Sequence, residues 1–258
     1  MVRILLLSLL IISCVQKEEG YPVGATTSMI GSIVKSIGKD RVEAITIVPA
    51  GMCPGHFDLK PKEIDRLSHA KIILNHGFEG WLKKLALALP EVRIETVGVK
   101  GSWMVPEIHL RAAEVITRIL SLSFPEDSAL FQSNLRSYRA RIDSIVKQFD
   151  RSKFKGVKVI CARYQAPFLS WVGFDVVATY GRPEDLSPKE LARLIDLARG
   201  SGARLVVDNL QSGPDAGRPI AEAASINHLV LTNFPIDQSY PQTLIENMKR
   251  LDECLSHH

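Results

Sequence analysis

Short apolar runs, broken by Gly, Pro and polar caps, alternate along much of the chain with stretches of helical spacing. Tyr21 to Ala25 predicts a strand, and Thr27 or Ser28 can cap a helix running to Ile37. Val42 to Val48 predicts a second strand, followed by a Pro/Gly loop and a helix over Pro61 to Leu67. Lys71 to Leu74 predicts a third, with a helix from Glu79 to Leu87 after it, and Arg93 to Val97 a fourth. This alternation is what an open parallel sheet with helices on its faces requires.

From Pro106 to Leu122, and again from Ala129 to Phe149, the pattern turns wholly helical. Leu130, Leu135, Ile142, Ile145, Val146 and Phe149 keep helical spacing, and no Gly or Pro falls between Glu126 and Gly156, so one long helix is expected. Alternation then resumes, with strands at Val157 to Ile160, Asp175 to Ala178, Arg204 to Val207 and Leu229 to Leu231. A final helix from Pro241 to Leu255 carries the stripe Leu244, Met248, Leu251 and Leu255, expected to pack into the core. The fold class is therefore α/β and bilobal, two parallel-sheet lobes bridged by one long rigid helix. The boundaries expected are 1–20 for an N-terminal processing segment, 21–125 for the first lobe, 126–152 for the helix and 153–258 for the second lobe.

Arg3 and the apolar run Ile4 to Ile12 are too short for a spanning helix, which needs about 20 apolar residues, but fit the apolar region of a secretory signal. Ser13 and Cys14 after Ile11 and Ile12 look like a lipobox, in which Cys14 becomes the acylated first residue of the mature chain. Residues 16–20 would be a short tether. The expected location is extracytoplasmic, lipid-anchored to the cell membrane, periplasmic or on its outer face. Export leaves Cys53, Cys161 and Cys254, an odd number where oxidation is favoured. At least one is then unpaired, metal-bound or intermolecular.

Composition excludes several classes. The 258 residues are 46% hydrophobic and 23% charged, enough to bury a core and too apolar for disorder. A formal charge of +4, with no Lys/Arg block longer than two, argues against nucleic-acid binding.

In open parallel sheets ligands bind beyond the carboxyl ends of the strands, and the unusual residues fall there. After the second strand, the stiff loop Pro49 to Asp58 sets Cys53 three residues from His56. Asn75, His76 and Glu79 follow the third strand; Cys161, Arg163 and Tyr164 follow the first strand of the second lobe; Asp208, Asn209 and Gln211 come later. A thiolate and a neutral imidazole are ligands that zinc and copper accept and that calcium or magnesium do not favour. Cys161 could complete such a site or form a disulfide with Cys53. His76 is a second donor or a satisfied half-buried histidine, and Asp208 with Asn209 binds a ligand or caps a helix. His69, His109 and His228 are expected on surfaces or helix faces, and His257 and His258 at a frayed end.

These residues lie in an order that resembles the metal-binding solute-binding proteins of ABC transporters, the cluster of zinc and manganese receptors. The likeness rests on Thr26-Thr27-Ser28 opening the first helix, Pro49 and Gly51 before His56, and Phe78-Glu79 with Trp81 opening the next helix. Trp103 to Pro106 and Ser187 to Leu191 extend it. The resemblance implies a bilobal fold with a metal held between the lobes by three His, one sometimes Glu, and an acid. Only His56 matches that set. The other positions fall at Gly101, at Ala162 or Cys161, and at Thr232 or Asn233.

The function expected is that of a lipid-anchored solute-binding protein of an ABC importer, not an enzyme, capturing a transition metal: zinc first, with copper, iron and manganese behind it. Its metal donors would be His56, Cys53, Cys161 and His76. Thr27, Ser28, Glu79, Arg163, Tyr164, Asp208 and Asn209 would bind ligand. Its partners would be a permease and its ATPase, with the chain itself a monomer. The alternative is a receptor for a metal chelate such as haem, cobalamin or a siderophore, gripped by Arg163, Tyr164, Trp103 and Trp171. A thiol enzyme with Cys161 or Cys53 as nucleophile and His56 as base lacks an orienting partner for the base.

Overall fold

The computed structural model describes residues 20–236 and 239–256. The signal segment, Cys14, His257 and His258 lie outside them. β1 (Tyr21–Ala25), β2 (Val42–Thr46), β3 (Ile72–Asn75) and β4 (Arg93–Thr96) form a parallel sheet in the order β2-β1-β3-β4. β5 (Lys158–Ala162), β6 (Asp175–Tyr180), β7 (Leu205–Asn209) and β8 (Asn227–Leu231) repeat that order as β6-β5-β7-β8. The inner strands β3 and β7 are buried along their whole length, as continuous apolar runs covered on both faces must be. Each sheet therefore has a topological switch point, between β1 and β3 and between β5 and β7, where a crevice opens beyond the strand ends.

Helices cover the faces: α1 (Ser28–Gly38), α2 (Pro61–Ser68), α3 (Leu82–Ala88) and α4 (Pro106–Ser123) in the first half, α6 (Ala166–Val172), α7 (Pro188–Ser201), α8 (Arg218–Ala224) and α9 (Tyr240–Ser256) in the second. Between them runs α5 (Ser128–Gln148), 21 residues, about 31 Å at 1.5 Å per residue. Its buried stripe, Phe131, Asn134, Tyr138, Ile142 and Ile145, recurs at helical spacing, and the helix packs on α4, α1 and α9. Asn134 donates to the Ile37 carbonyl at 2.7 Å, satisfying an end group of α1. Tyr240 donates its backbone N–H to Ser32 and its hydroxyl to the Met104 carbonyl, so α9 returns from the second half onto the first. One apolar cluster thus runs from Val23 and Ile33 through Phe131 and Ile142 to Val159, Leu205 and Leu231. A junction packed in this way favours small closure motions over wide hinge opening.

The structure revises several details. α3 starts at Leu82 instead of Glu79, because the Glu79 carboxylate is used to hold the preceding loop. His109 is fully buried between α4, α5 and α9, stacked on Tyr240 at 3.4 Å with Nε2 2.8 Å from the Tyr138 hydroxyl. His228 sits on β8 against buried Asp208, not on a free surface. Among the described residues no helix is long and apolar enough to cross a membrane.

Candidate functional site

The loop after β2 is pinned from below. Pro54 opens a short 3-10 turn (Pro54–His56), its carbonyl accepts from Trp81 Nε1 at 3.0 Å, and Phe57 meets the same indole edge-on at 5.8 Å. Cys53 and His56 are thereby presented on a fixed loop. Across the cleft, Arg182 follows β6 and donates to Cys53 Sγ at 2.8 Å and to His56 Nδ1. The His56 ring therefore accepts at Nδ1, which fixes its proton on Nε2. One guanidinium from the second lobe joins the thiol and the imidazole of the first-lobe loop. Gln211 adds a second cross-lobe link, donating to the Ala50 carbonyl at 2.9 Å.

The loop after β3 is organised by Glu79. Its carboxylate, almost fully buried, accepts from Thr26 Oγ1 at 2.5 Å and from the backbone N–H groups of His76 and Gly77 at 3.0 and 2.9 Å. With its oxygens committed in this way, Glu79 positions the loop and does not line the cleft. Thr27 caps α1, accepting from Ile30, and its hydroxyl meets His76 Nε2 at 2.9 Å. The His76 ring lies against Trp103 at 4.2 Å and Phe78 at 5.0 Å. Burial pushes its pKa down to about 4, against a partial upward pull from Glu79, so the ring is neutral at physiological pH.

The cleft between the lobes has a volume of about 620 Å³, within the roughly 300–1,000 Å³ range of small-molecule sites. Cys53, His56, His76, Phe78 and Trp103 line it from the first lobe, and Arg163, Tyr164, Arg182, Asn209, Gln211, Asn233 and Phe234 from the second. Phe78 and Tyr164 are 57% and 50% exposed, large apolar faces left open to the cleft. Asn233 donates to the Tyr164 carbonyl at 3.0 Å and holds that turn.

Several expected site residues lie elsewhere. Cys161 is wholly buried in β5 among core side chains, and burial pushes its thiol up to about 12, so it is neither a cleft donor nor a nucleophile. It is also unpaired, as are Cys53 and Cys254, which removes the Cys53–Cys161 disulfide. Asp208 is a buried anchor: it accepts from the Tyr180 hydroxyl, the Gly217 backbone and His228 Nε2, tying β6, the loop after β7 and β8 together. Ser28 lines a separate groove with Lys35 and Arg66, to which Pro235 and Ser239 of the second half also contribute. Trp171 bonds Glu107 and lies under the Arg151 guanidinium, outside the cleft. Asn209 does reach the cleft, held by Gln165 and holding Ser212.

Among the described residues no three His, Cys, Asp or Glu side chains converge where they could hold a metal ion. Gly101, at the resemblance's second histidine position, adopts φ +101°, and a Cβ there would lie 2.7 Å from Ile108 Cδ1. Cys53, His56 and Arg182 meet at the mouth of the cleft instead. Arg182 was not singled out from the sequence, because the strand before it was expected to end at Ala178 and in fact runs to Tyr180. Extending that strand by its aromatic residue would have set Arg182 at a strand end, where the other cleft residues lie.

Two parallel α/β lobes, a long connecting helix and a cleft at paired strand ends make up the architecture of a bilobal solute-binding protein. The family model described as ZnuA, zinc-uptake complex component A, periplasmic, matches residues 23–254. The chain belongs to that family, which comprises substrate-binding proteins of ABC transporters and not enzymes. The iron ABC transporter substrate-binding lipoprotein MtsA of Streptococcus pyogenes serotype M1 is 23% identical over 55% of this chain and 54% of its own length. The manganese ABC transporter substrate-binding lipoprotein PsaA of Streptococcus mitis is 26% identical over 52% of each. This chain therefore spans about half the length of these two relatives. The metal ABC transporter substrate-binding lipoprotein SloC of Streptococcus mutans serotype c is 23% identical over 83% of this chain and 85% of its own. A crystal structure of ZnuA superposes with TM-score 0.80 at 20% identity, covering 91% of this chain and 99% of that one. The manganese complex of FpvC from Pseudomonas aeruginosa superposes with TM-score 0.78 at 14% identity, covering 92% and 99%.

Proposed function

We propose that this protein is the extracytoplasmic solute-binding component of an ABC importer, capturing a transition metal in the interlobe cleft and delivering it to a membrane permease driven by its ATPase. The observation that carries this reading is the cleft between the lobes, which Cys53 and His56 line from one half and Arg182 meets from the other. The relatives are named for iron and manganese and the family for zinc. A sulfur and an imidazole favour zinc or copper over manganese, which prefers oxygen donors. Acylation at Cys14 holds the mature chain to the membrane through the tether, and the lobes 21–125 and 153–258 work as a monomer about the helix of 126–152.

The test is metal accumulation by cells lacking this chain. Accumulation of one transition metal should fall and be restored by the wild-type chain but not by a Cys53→Ser, His56→Ala double variant. Unchanged accumulation of zinc, copper, iron, manganese and nickel would overturn the reading.

A further inference from the structure

Resting on that reading, we infer that the cleft takes its metal as an anionic organic chelate, with Arg163 and Arg182 binding the chelator's negatively charged oxygens and the aromatic side chains covering its carbon framework. Three observations converge. A cavity of about 620 Å³ is sized for a small organic molecule and far exceeds what one ion fills. The charged side chains that line it among the described residues are two guanidinium groups and no carboxylate; Glu184, 64% exposed and 3.7 Å from Arg182, offsets part of one charge, and the remaining field favours an anion over a bare divalent cation. The thiol and imidazole donors free to face it among the described residues number two, Cys53 and His56, with His76 committed to Thr27 and its aromatic neighbours, whereas a closed zinc site needs four ligands of the Cys, His, Asp or Glu kind. A chelator supplies the missing donors itself.

The lining then divides by task. Arg182, with its side chain 15% exposed, already reaches across the cleft and can exchange its Cys53 and His56 contacts for a carboxylate or catecholate oxygen, which a guanidinium grips bidentately. Arg163 stands exposed at the end of β5 as a second cationic contact. Phe78, Trp103, Tyr164 and Phe234 supply apolar faces for the ligand's rings or chain, and Asn233, whose Oδ1 has no hydrogen-bond partner among the described residues, an acceptor at its edge.

The experiment is a tryptophan-fluorescence and calorimetric titration of the mature chain, since Trp103 lines the cleft. The ligands are zinc citrate, ferric citrate, a ferric catecholate and haemin, set against free zinc, manganese and iron(II), with a neutral ferric hydroxamate as the charge control. At least one anionic complex should bind about tenfold or more tighter than every free ion and the neutral complex. Arg163→Gln and Arg182→Gln should each weaken it about tenfold, the loss expected for one charge-assisted hydrogen bond, while Arg182→Lys, which keeps the charge but loses the two-point grip, should weaken it less than Arg182→Gln. Circular dichroism and melting of each variant confirm that it is folded. A free ion or the neutral complex binding as tightly as any anionic complex, or folded arginine variants that bind undiminished, would overturn the chelate inference and leave metal capture standing. Failure of every complex and every ion to bind would overturn both.

Discussion

Gly101 explains why the site cannot be read as a family metal site with one ligand exchanged. Its φ of +101° lies where L side chains are strained, and a Cβ there would also have to displace the tip of the Ile108 side chain. Gly101→His should therefore lower stability by about 1–3 kcal/mol without creating zinc affinity, as thermal unfolding with and without the metal would report. Cys161 gives a complementary expectation. Iodoacetamide should modify Cys53 in the native protein and spare Cys161 until the chain unfolds, because a thiol held near 12 inside the core carries almost no thiolate. Mass spectrometry of the labelled peptides checks this. The two buried imidazoles set the acid response. His109 is pushed down to about 3 and His76 to about 4, both by burial, from an ordinary value of 6.5. Folded pKa values below the unfolded one mean that the unfolded chain binds more protons between them. Stability is therefore fully present above pH 6.5 and declines as pH falls toward 3–4, by up to about 1.4 kcal/mol per pH unit for each ring. Denaturant melts across that range should show the decline, and His109→Gln should make it shallower.

At the scale of elements, two buried carboxylates carry the loops. Glu79 holds three donors of the β3–α3 connection, and Asp208 holds the loop after β7 against β6 and β8. Glu79→Gln turns one accepting oxygen into a donor facing another donor and should cost about 1–3 kcal/mol. Melting temperature should fall, and cargo affinity with it, since His76 and Phe78 ride on that loop. Neither role was legible in the sequence, where a polar residue after a strand has the same signature whether it points into a crevice or back at its own backbone. The elements themselves were legible. Continuous apolar runs mark β3 and β7, Thr27 marks the start of α1, and the unbroken stretch after Glu126 marks α5, whereas the short turn at Pro54–His56 reads from the sequence only as loop. His109 was misjudged for a physical reason as well. One helical residue among apolar neighbours reads the same on either face until α5 and α9 close over it.

At the scale of the whole molecule, one apolar cluster crosses from lobe to lobe, while polar contacts close the cleft above it. The base is rigid and the rim is exchangeable, which suits a protein that must hold cargo and yet release it by small motions. The paired strand order, repeated in both sheets, sets Cys53 and His56 opposite Arg182 at the common mouth. The central claim is that this mouth captures a transition metal. It is tested most directly by elemental analysis of the protein purified from the cells that make it, beside the Cys53→Ser, His56→Ala double variant. About one transition-metal atom per wild-type chain and almost none in the folded double variant is the expected result; metal absent from both, or retained equally by both, would contradict it.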